Sequence, residues 1–240
     1  MHPEHPIKPP FFEFGPKAYM YGPMLLELAG HAAAASEKYN IPVIITPQHT
    51  DIYPLAANYP SLYICAQHMD DLVPGRGLGS ILPEAIKSAG AQCVMLNHAE
   101  KPLPPLVLSR TLQRADEVGL ISIVCADRLD DAIAAARLSP DIIIAEPTEL
   151  IGTGKRSNLK YITDTTCAIK KINPDICVLQ GAGIHSPKDV YDVIFAGADA
   201  TGCTSAITTA SHPAQMLTEM IAAVREAWDA RKYLEKGENI

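Results

Sequence analysis

Hydrophobic and polar positions along the chain form two kinds of segment that follow one another from end to end. A short apolar run comes first, and a longer stretch with apolar residues at helical spacing follows it. This order predicts repeated strand–helix units. The predicted strands are Phe11–Lys17, Pro42–Thr46, Leu62–Gln67, Gln92–Asn97, Leu120–Cys125, Asp141–Glu146, Asp175–Gln180 and Asp199–Cys203. The predicted helices are Pro23–Lys38, Asp51–Asn58, Ser80–Ala89, Pro104–Val118, Leu129–Leu138, Asn158–Ile172, Pro187–Ala196 and Pro213–Leu234.

Eight such units in 240 residues predict the α/β class and a (β/α)8 barrel. The alternative is an open doubly wound sheet, which normally has fewer units and often a glycine-rich first turn that this sequence lacks. No sharp change of composition marks a second domain. We therefore predict a single domain over residues 1–240, with a polar, proline-rich N-terminal extension at residues 1–10.

Composition removes several classes of function. A net charge of -7 does not favour a nucleic-acid partner, and no apolar run approaches the roughly 20 residues that span a bilayer. The six cysteines are scattered without a CxxC pair, which favours reduced thiols in a cytoplasmic protein over a disulfide framework. His2 and His5 lie close together in the tail, but this pair is weak support for a metal site, and we predict none.

The stretch Asp141–Lys155 carries the first candidate for chemistry. Its apolar run, Ile142–Ala145, is typical of a strand buried on both faces, and the run ends at the carboxylate of Glu146. Pro147 stiffens the next position, and a Gly-Thr-Gly sequence follows at residues 152–154. This pattern indicates a catalytic base beneath a loop that closes over it. The alternative is a surface acid before an ordinary loop.

The other predicted strand ends carry further polar residues. In a barrel, chemistry collects at the C-terminal ends of the strands, so these residues are expected at one mouth. They are Lys17, Gln67, Asn97–Glu100, Glu146, Gly181–Gly183 and Gly202–Ser205. Each also has a structural interpretation: Lys17 as a solvated lysine, His98 as a hydrogen-bonded histidine, Glu100 as an ion-pair partner, the glycines as turn residues, and Thr204 and Ser205 as helix caps.

These residues resemble the triosephosphate isomerase family, and especially its shorter archaeal-type branch. Lys17–Tyr19 matches the family's lysine at the first strand, and Ala66–Gln67 its Ala-Gln at the third. Asn97–Glu100 matches its Asn-His-Ser-Glu motif, and Gly181–Ile184 its Gly-Ala-Gly-Ile turn. Glu146–Gly154 matches its loop without a gap. The resemblance covers nearly the whole chain and implies the TIM-barrel fold.

The resemblance implies an aldose–ketose isomerase that interconverts dihydroxyacetone phosphate and glyceraldehyde 3-phosphate through an enediolate. Glu146 would move the carbon-bound proton, His98 would act as electrophile, and Lys17 would supply positive charge. Asn97 and Glu100 would support them. It also implies a small phosphorylated sugar as substrate, no cofactor, no metal, a cytoplasmic location, and a homodimer or homotetramer.

The implied phosphate site consists of backbone amides on several loops. Its residues are Gly152, Gly183, Ser205 and Ala206, and the loop over Glu146 would exclude water and retain the enediolate.

Four positions depart from the family pattern. Gly15 replaces an asparagine, Ala99 a serine, and Leu78 the threonine that reaches across an interface. Gly202–Ile207 differs from the usual phosphate loop. One hypothesis is that proton transfer is kept while the substrate end changes, which would favour a tetrulose or pentulose phosphate. Another is a non-catalytic barrel that binds a phosphometabolite, although such a protein needs no carbon base.

Overall fold

The computed structural model describes residues 7–147, 159–181 and 183–235, which form a closed barrel of parallel strands. Each strand pairs with the next, and the first pairs with the last, with Phe11 opposite Ala200. This closure confirms the predicted (β/α)8 barrel. It excludes an open doubly wound sheet, whose edge strands would lack partners on one side.

The strands and helices alternate along the described chain. The strands are β1 (Phe11–Phe14), β2 (Val43–Ile45), β3 (Tyr63–Ala66), β4 (Cys93–Leu96), β5 (Ile121–Ala126), β6 (Ile142–Ala145), β7 (Cys177–Gln180) and β8 (Ala200–Cys203). The helices are α1 (Gly22–Tyr39), α2 (Ile52–Asn58), α3 (Pro83–Ser88), α4 (Pro105–Val118), α5 (Leu129–Ala136), α6 (Leu159–Ile172), α7 (Pro187–Phe195), α8 (Ser205–Thr208) and α9 (Pro213–Glu235). A 3-10 turn, His49–Asp51, precedes α2.

Strand residues alternate between the interior of the barrel and the layer beneath the helices. In β6, Ile142 and Ile144 belong to the interior cluster, whereas Ile143 packs in the outer cluster with residues of the helices. Parallel strands covered by helices are buried on both faces, and this explains the unbroken apolar runs in the sequence. The same alternation, continued from Ile144 to the next residue of the same face, turns Glu146 toward the mouth of the barrel.

The first strand is shorter than predicted. It was expected to run through Lys17, but it ends at Phe14, and Lys17 lies in the turn that follows. Pro16 has no backbone N–H and therefore cannot donate to the ladder. The placement of Lys17 within a strand is thus wrong, although the lysine still follows β1 directly.

The third and eighth helices also differ from the prediction. Helix α3 begins at Pro83 rather than at Ser80, because the residue before a proline is driven out of the helical region. Leu82 is accordingly extended, with φ -77° and ψ 128°. The short helix α8 was not predicted, since four residues between a strand and a longer helix give no periodic signal.

The chain is tied to the barrel from residue 7 onward. Ile7 is 0% exposed and belongs to the interior cluster, so the described part of the predicted extension contributes to the core. The tail histidines, His2 and His5, lie outside the described residues.

All six cysteines are free thiols, five of them buried and Cys167 exposed. Among the described residues, no cluster of histidine, cysteine and carboxylate side chains is arranged to hold a metal ion. No helix in this part of the chain is long and apolar enough to cross a membrane.

Candidate active site

A pocket of about 420 Å³ opens at the C-terminal ends of the strands. This volume lies in the range typical of small-molecule sites. The candidate residues Lys17, His98, Glu100 and Glu146 all line it, and Gly183 and Ser205 lie on its wall. The structure therefore brings the polar strand ends together, as expected for a barrel of this kind.

Lys17 adopts an unusual backbone conformation at the pocket. Its φ is +50°, which a residue with a side chain adopts at a cost of about 1–3 kcal/mol. Two glutamine side chains hold this turn, because Gln48 Nε2 and Gln67 Nε2 donate to the Lys17 carbonyl at 2.9 and 3.0 Å. The conformation directs Lys17 across the pocket, where its Nζ meets Glu100 Oε1 at 2.5 Å.

Asn97 fixes the turn that carries the histidine. It has φ +59°, and its side-chain amide donates to the carbonyl of Cys125 at 3.0 Å. The Asn97 Oδ1 accepts from the backbone N–H of Leu103 at 3.0 Å. Both ends of the amide are thus used to join the strand end to its neighbours.

His98 is held as a donor toward the pocket. Its Nδ1 accepts the backbone N–H of Glu100 at 3.1 Å, so the proton of the neutral ring lies on Nε2. That nitrogen is 3.9 Å from Glu146 Oε2. Burial and the charge of Lys17 lower the pKa of His98, while Glu100 opposes them. The neutral ring is favoured at physiological pH, with its N–H directed at the centre of the site.

Glu146 is a carboxylate in a nearly dry position. Its backbone N–H donates to the carbonyl of Ala126 at 2.9 Å, and its side chain is 18% exposed. Burial raises the pKa of Glu146, Lys17 lowers it, and Glu100 raises it. A raised pKa makes the carboxylate a stronger base. Gly181 lies beside this group, since a Cβ there would be in ordinary van der Waals contact with the Glu146 carboxyl carbon, at 3.5 Å.

Glu100 stands at the outer edge of the pocket, with its side chain 65% exposed. The hydrogen bond from Lys17 lowers the pKa of Glu100, so this acid remains ionised. The pair fixes the position of the lysine, and the pair's exposure keeps its contribution to stability small.

Three of the four candidate phosphate residues, Gly183, Ser205 and Ala206, follow the ends of β7 and β8. Gly183 has φ +74°, a conformation that suits glycine, and it lines the pocket with Ser205. Ser205 and Ala206 begin α8, where the first backbone N–H groups of a helix have no partner within the helix. The predicted contribution of Gly152, and the loop over Glu146, lie outside the described residues.

The structure adds a residue that the sequence analysis missed. Glu13, the third residue of β1, lines the floor of the pocket and is 7% exposed. Thr46 Oγ1 donates to its Oε1 at 2.5 Å. Burial, with a smaller effect of the Glu146 charge, raises the pKa of Glu13 to about 7, although Thr46 and Lys17 act against the rise. The available signal was a single acid inside the apolar run Phe11–Phe14.

The departures from the family pattern have structural counterparts. A Cβ at Gly15 would lie 3.0 Å from Glu13 Oε1, so this carboxyl fills the space beside residue 15. Leu78 is 108% exposed on the loop after β3 in the described chain. Ala99 is exposed and presents no hydroxyl to Glu100.

Comparison with known proteins agrees with this geometry. The family model described as triosephosphate isomerase matches residues 17–224. The triosephosphate isomerase of Methanothermus fervidus is 36% identical over 83% of this chain and 91% of that protein. The triosephosphate isomerase of Sulfurisphaera tokodaii is 36% identical over 94% of this chain and 100% of that protein. That of Sulfolobus acidocaldarius is 34% identical over 94% and 99%.

Proposed function

The chain belongs to the triosephosphate isomerase family, and we propose that it interconverts dihydroxyacetone phosphate and glyceraldehyde 3-phosphate. The observation that carries this proposal is the position of Glu146 beside the neutral ring of His98. Glu146 Oε2 lies 3.9 Å from His98 Nε2, the nitrogen that bears the proton, in one pocket. The reaction would belong to glycolysis and gluconeogenesis. The shared description of the relatives favours triose phosphates over a tetrulose or pentulose phosphate.

The proposed reaction begins with removal of a proton from carbon. Glu146 takes a proton from the carbon next to the substrate carbonyl, and the electron pair of that C–H bond moves toward the carbonyl oxygen. An enediolate forms, with negative charge on that oxygen. The raised pKa of Glu146 supports this step, because a more basic carboxylate is better matched to a weakly acidic C–H bond.

His98 is proposed as the electrophile. Its Nε2–H points into the pocket and would donate to the oxygen on which charge develops. A neutral imidazole can give this proton to one oxygen and take one from the other, so the negative charge moves from the oxygen on one carbon to the oxygen on its neighbour. Glu146 then returns a proton to the second carbon, which completes the isomerisation.

Lys17 is proposed to bind the anionic substrate. Its ammonium group lies in the same pocket, and its carbonyl is anchored by Gln48 and Gln67. Positive charge held in advance costs no reorganisation when the enediolate forms. We assign the phosphate to backbone amides of Gly152, Gly183, Ser205 and Ala206. None of these steps calls for a metal or an organic cofactor.

We also propose that the protein is cytoplasmic and forms a homodimer or homotetramer. Five of its six thiols are buried and unpaired, as in proteins of reducing compartments. Val73 and Leu78 expose 60% and 108% of their surface on one loop, which supports an interface between copies. Light scattering on the protein and on Leu78→Asp tests this, and a wild-type monomer would contradict it.

Turnover tests the proposed function directly. The purified protein should convert dihydroxyacetone phosphate to glyceraldehyde 3-phosphate. A coupled assay that oxidises the aldehyde product measures the rate. Glu146→Gln keeps the shape of the side chain but not its basicity, and should lower kcat by roughly 10²–10⁴. A protein that binds the triose phosphate but does not turn it over would contradict the proposal.

A further inference from the structure

Glu13 is a buried acid that the proposed reaction does not use. It lies in β1, where Phe11 packs in the interior cluster and Phe12 and Phe14 in the outer cluster. Alternation along a strand therefore directs the Glu13 side chain into the barrel. Burying a carboxyl group is costly unless it is hydrogen-bonded or neutral, so its presence requires a physical explanation.

Two glycines make the space that the Glu13 carboxyl occupies. Gly202 on β8 lies opposite Glu13 in the register, and a Cβ there would come within 2.9 Å of Glu13 Oε2. On the other side, a Cβ at Gly15 would lie 3.0 Å from Oε1. Side chains at either position would displace the carboxyl group. The barrel is thus shaped around this acid at the point where the pocket begins.

The orientation of the carboxyl group is set by the residue that follows β2. Thr46 Oγ1 donates to Glu13 Oε1 at 2.5 Å, and among the described residues it is the one hydrogen-bond partner of this group. Glu13 also lines the pocket that contains Lys17, His98 and Glu146. One oxygen is therefore held by the threonine, which leaves Oε2 for a molecule in the pocket.

Several titratable groups face Glu13 from the surrounding strands. The charge of Glu146 raises its pKa and that of Lys17 lowers it, while burial is the largest cause of a value of about 7. Three thiols also interact with its charge and have raised pKa values of their own, so they remain neutral: Cys65, Cys125 and Cys203. Near neutral pH, Glu13 is therefore present both as an acid and as a carboxylate.

We propose that Glu13 contacts the substrate, and that its carboxylic acid form donates a hydrogen bond from Oε2 to an oxygen of the bound sugar phosphate. This inference rests on the proposed function for the identity of the ligand. A second carboxylate beside Glu146 would repel an anionic substrate, whereas a neutral acid attracts an oxygen. Loss of the proton from Glu13 therefore weakens binding. As a consequence, the pH profile of kcat/KM has a basic limb, in which kcat/KM falls as pH rises.

The kinetic test compares wild type with two variants across pH. Glu13→Gln retains a donor but does not ionise, and Glu13→Met has nearly the same length but no donor. Wild-type kcat/KM should fall about tenfold per pH unit above about pH 7. Glu13→Gln should lack this limb and exceed wild type at least tenfold near pH 8.5. Glu13→Met should raise KM about tenfold near pH 6, with a smaller change in kcat.

Two kinetic outcomes would overturn the inference. One is a basic limb of the same position and slope in wild type and Glu13→Gln. The other is a Glu13→Met variant with the wild-type KM near pH 6.

A binding experiment separates this inference from the proposed function. Glycerol 3-phosphate has oxygens on the same carbons as the triose phosphates but no carbonyl group to isomerise. Calorimetry should show its affinity for wild type falling tenfold or more between about pH 6.5 and about pH 8.5, and less than threefold for Glu13→Gln. Equal pH dependence in the two proteins would refute the role of Glu13. Absence of triose phosphate turnover, with this difference intact, would refute the reaction alone.

Discussion

The contribution of Glu13 to stability should depend on pH in the opposite sense to that of a salt-bridged acid. In the folded protein, burial holds the pKa of Glu13 at about 7, above the value of 4.5 for a solvated glutamate. Between these two values, the unfolded chain has released the proton while the folded chain still holds it. Wild-type stability therefore falls as pH rises through this window. The stability of the glutamine variant lacks this pH dependence, because glutamine does not ionise.

The size of the effect follows from the two pKa values of Glu13. A rise from 4.5 to about 7 corresponds to about 3 kcal/mol of unfolding free energy once the pH is above both values. Near pH 5, most of this loss has not yet occurred. Between about pH 5 and about pH 8.5, the variant should gain about 2.5 kcal/mol relative to wild type.

Urea unfolding, followed by circular dichroism at both pH values, measures this difference. The exposed Glu226→Gln variant is a matched control, because it makes the same chemical change on the surface of α9. Its stability relative to wild type should change little with pH. A constant difference between wild type and Glu13→Gln across the range would refute the assignment of a buried, largely protonated acid at the floor of the barrel.

Three further substitutions test the packing and the charges of the site. Gly202→Ala should destabilise the protein by about 1–3 kcal/mol in urea unfolding, because its Cβ would lie 2.4 Å from the Glu13 carbonyl oxygen, and wild-type stability would contradict this. Gly181→Ala should destabilise the protein by about 1 kcal/mol in urea unfolding, because its Cβ would lie 3.1 Å from Ile144 Cγ2, while kcat should change little, because the Glu146 carboxyl carbon would be at an ordinary contact distance of 3.5 Å; a large loss of kcat would contradict this. Glu100→Gln removes a charge that raises the pKa of Glu146, so the acidic limb of the pH profile of kcat/KM should move to lower pH. An acidic limb at the wild-type pH would show that the two acids do not interact.

The architecture could be predicted because it depends on a pattern that repeats. Strands buried on both faces appear as apolar runs, and β6 with Glu146 at its end is the clearest example. The strand ends also identified the residues that meet in the pocket, since parallel strands bring their C-terminal ends to one side. The end of β1 was predicted wrongly because the strand was extended to the polar residue Lys17, although Pro16, which cannot donate to the ladder, marks its end in the sequence.

Glu13 could not be predicted from the same pattern. The sequence shows one acid among three phenylalanines, and it does not show that Gly15 and Gly202 lie on either side of the carboxyl group. That fit joins residues far apart in the chain and exists only once β1 and β8 close the barrel. The tautomer of His98 is a similar case, because it depends on the backbone N–H of Glu100.

Solvent exchange tests the central claim, proton transfer by Glu146, most directly. The protein is incubated with dihydroxyacetone phosphate in deuterium oxide, and products are followed by proton NMR beside the Glu146→Gln variant. We expect wild type to form glyceraldehyde 3-phosphate with deuterium at the carbon next to the carbonyl, and the variant to lose both isomerisation and exchange by roughly 10²–10⁴. Undiminished exchange in the variant, or wild-type product without any deuterium, would contradict the account.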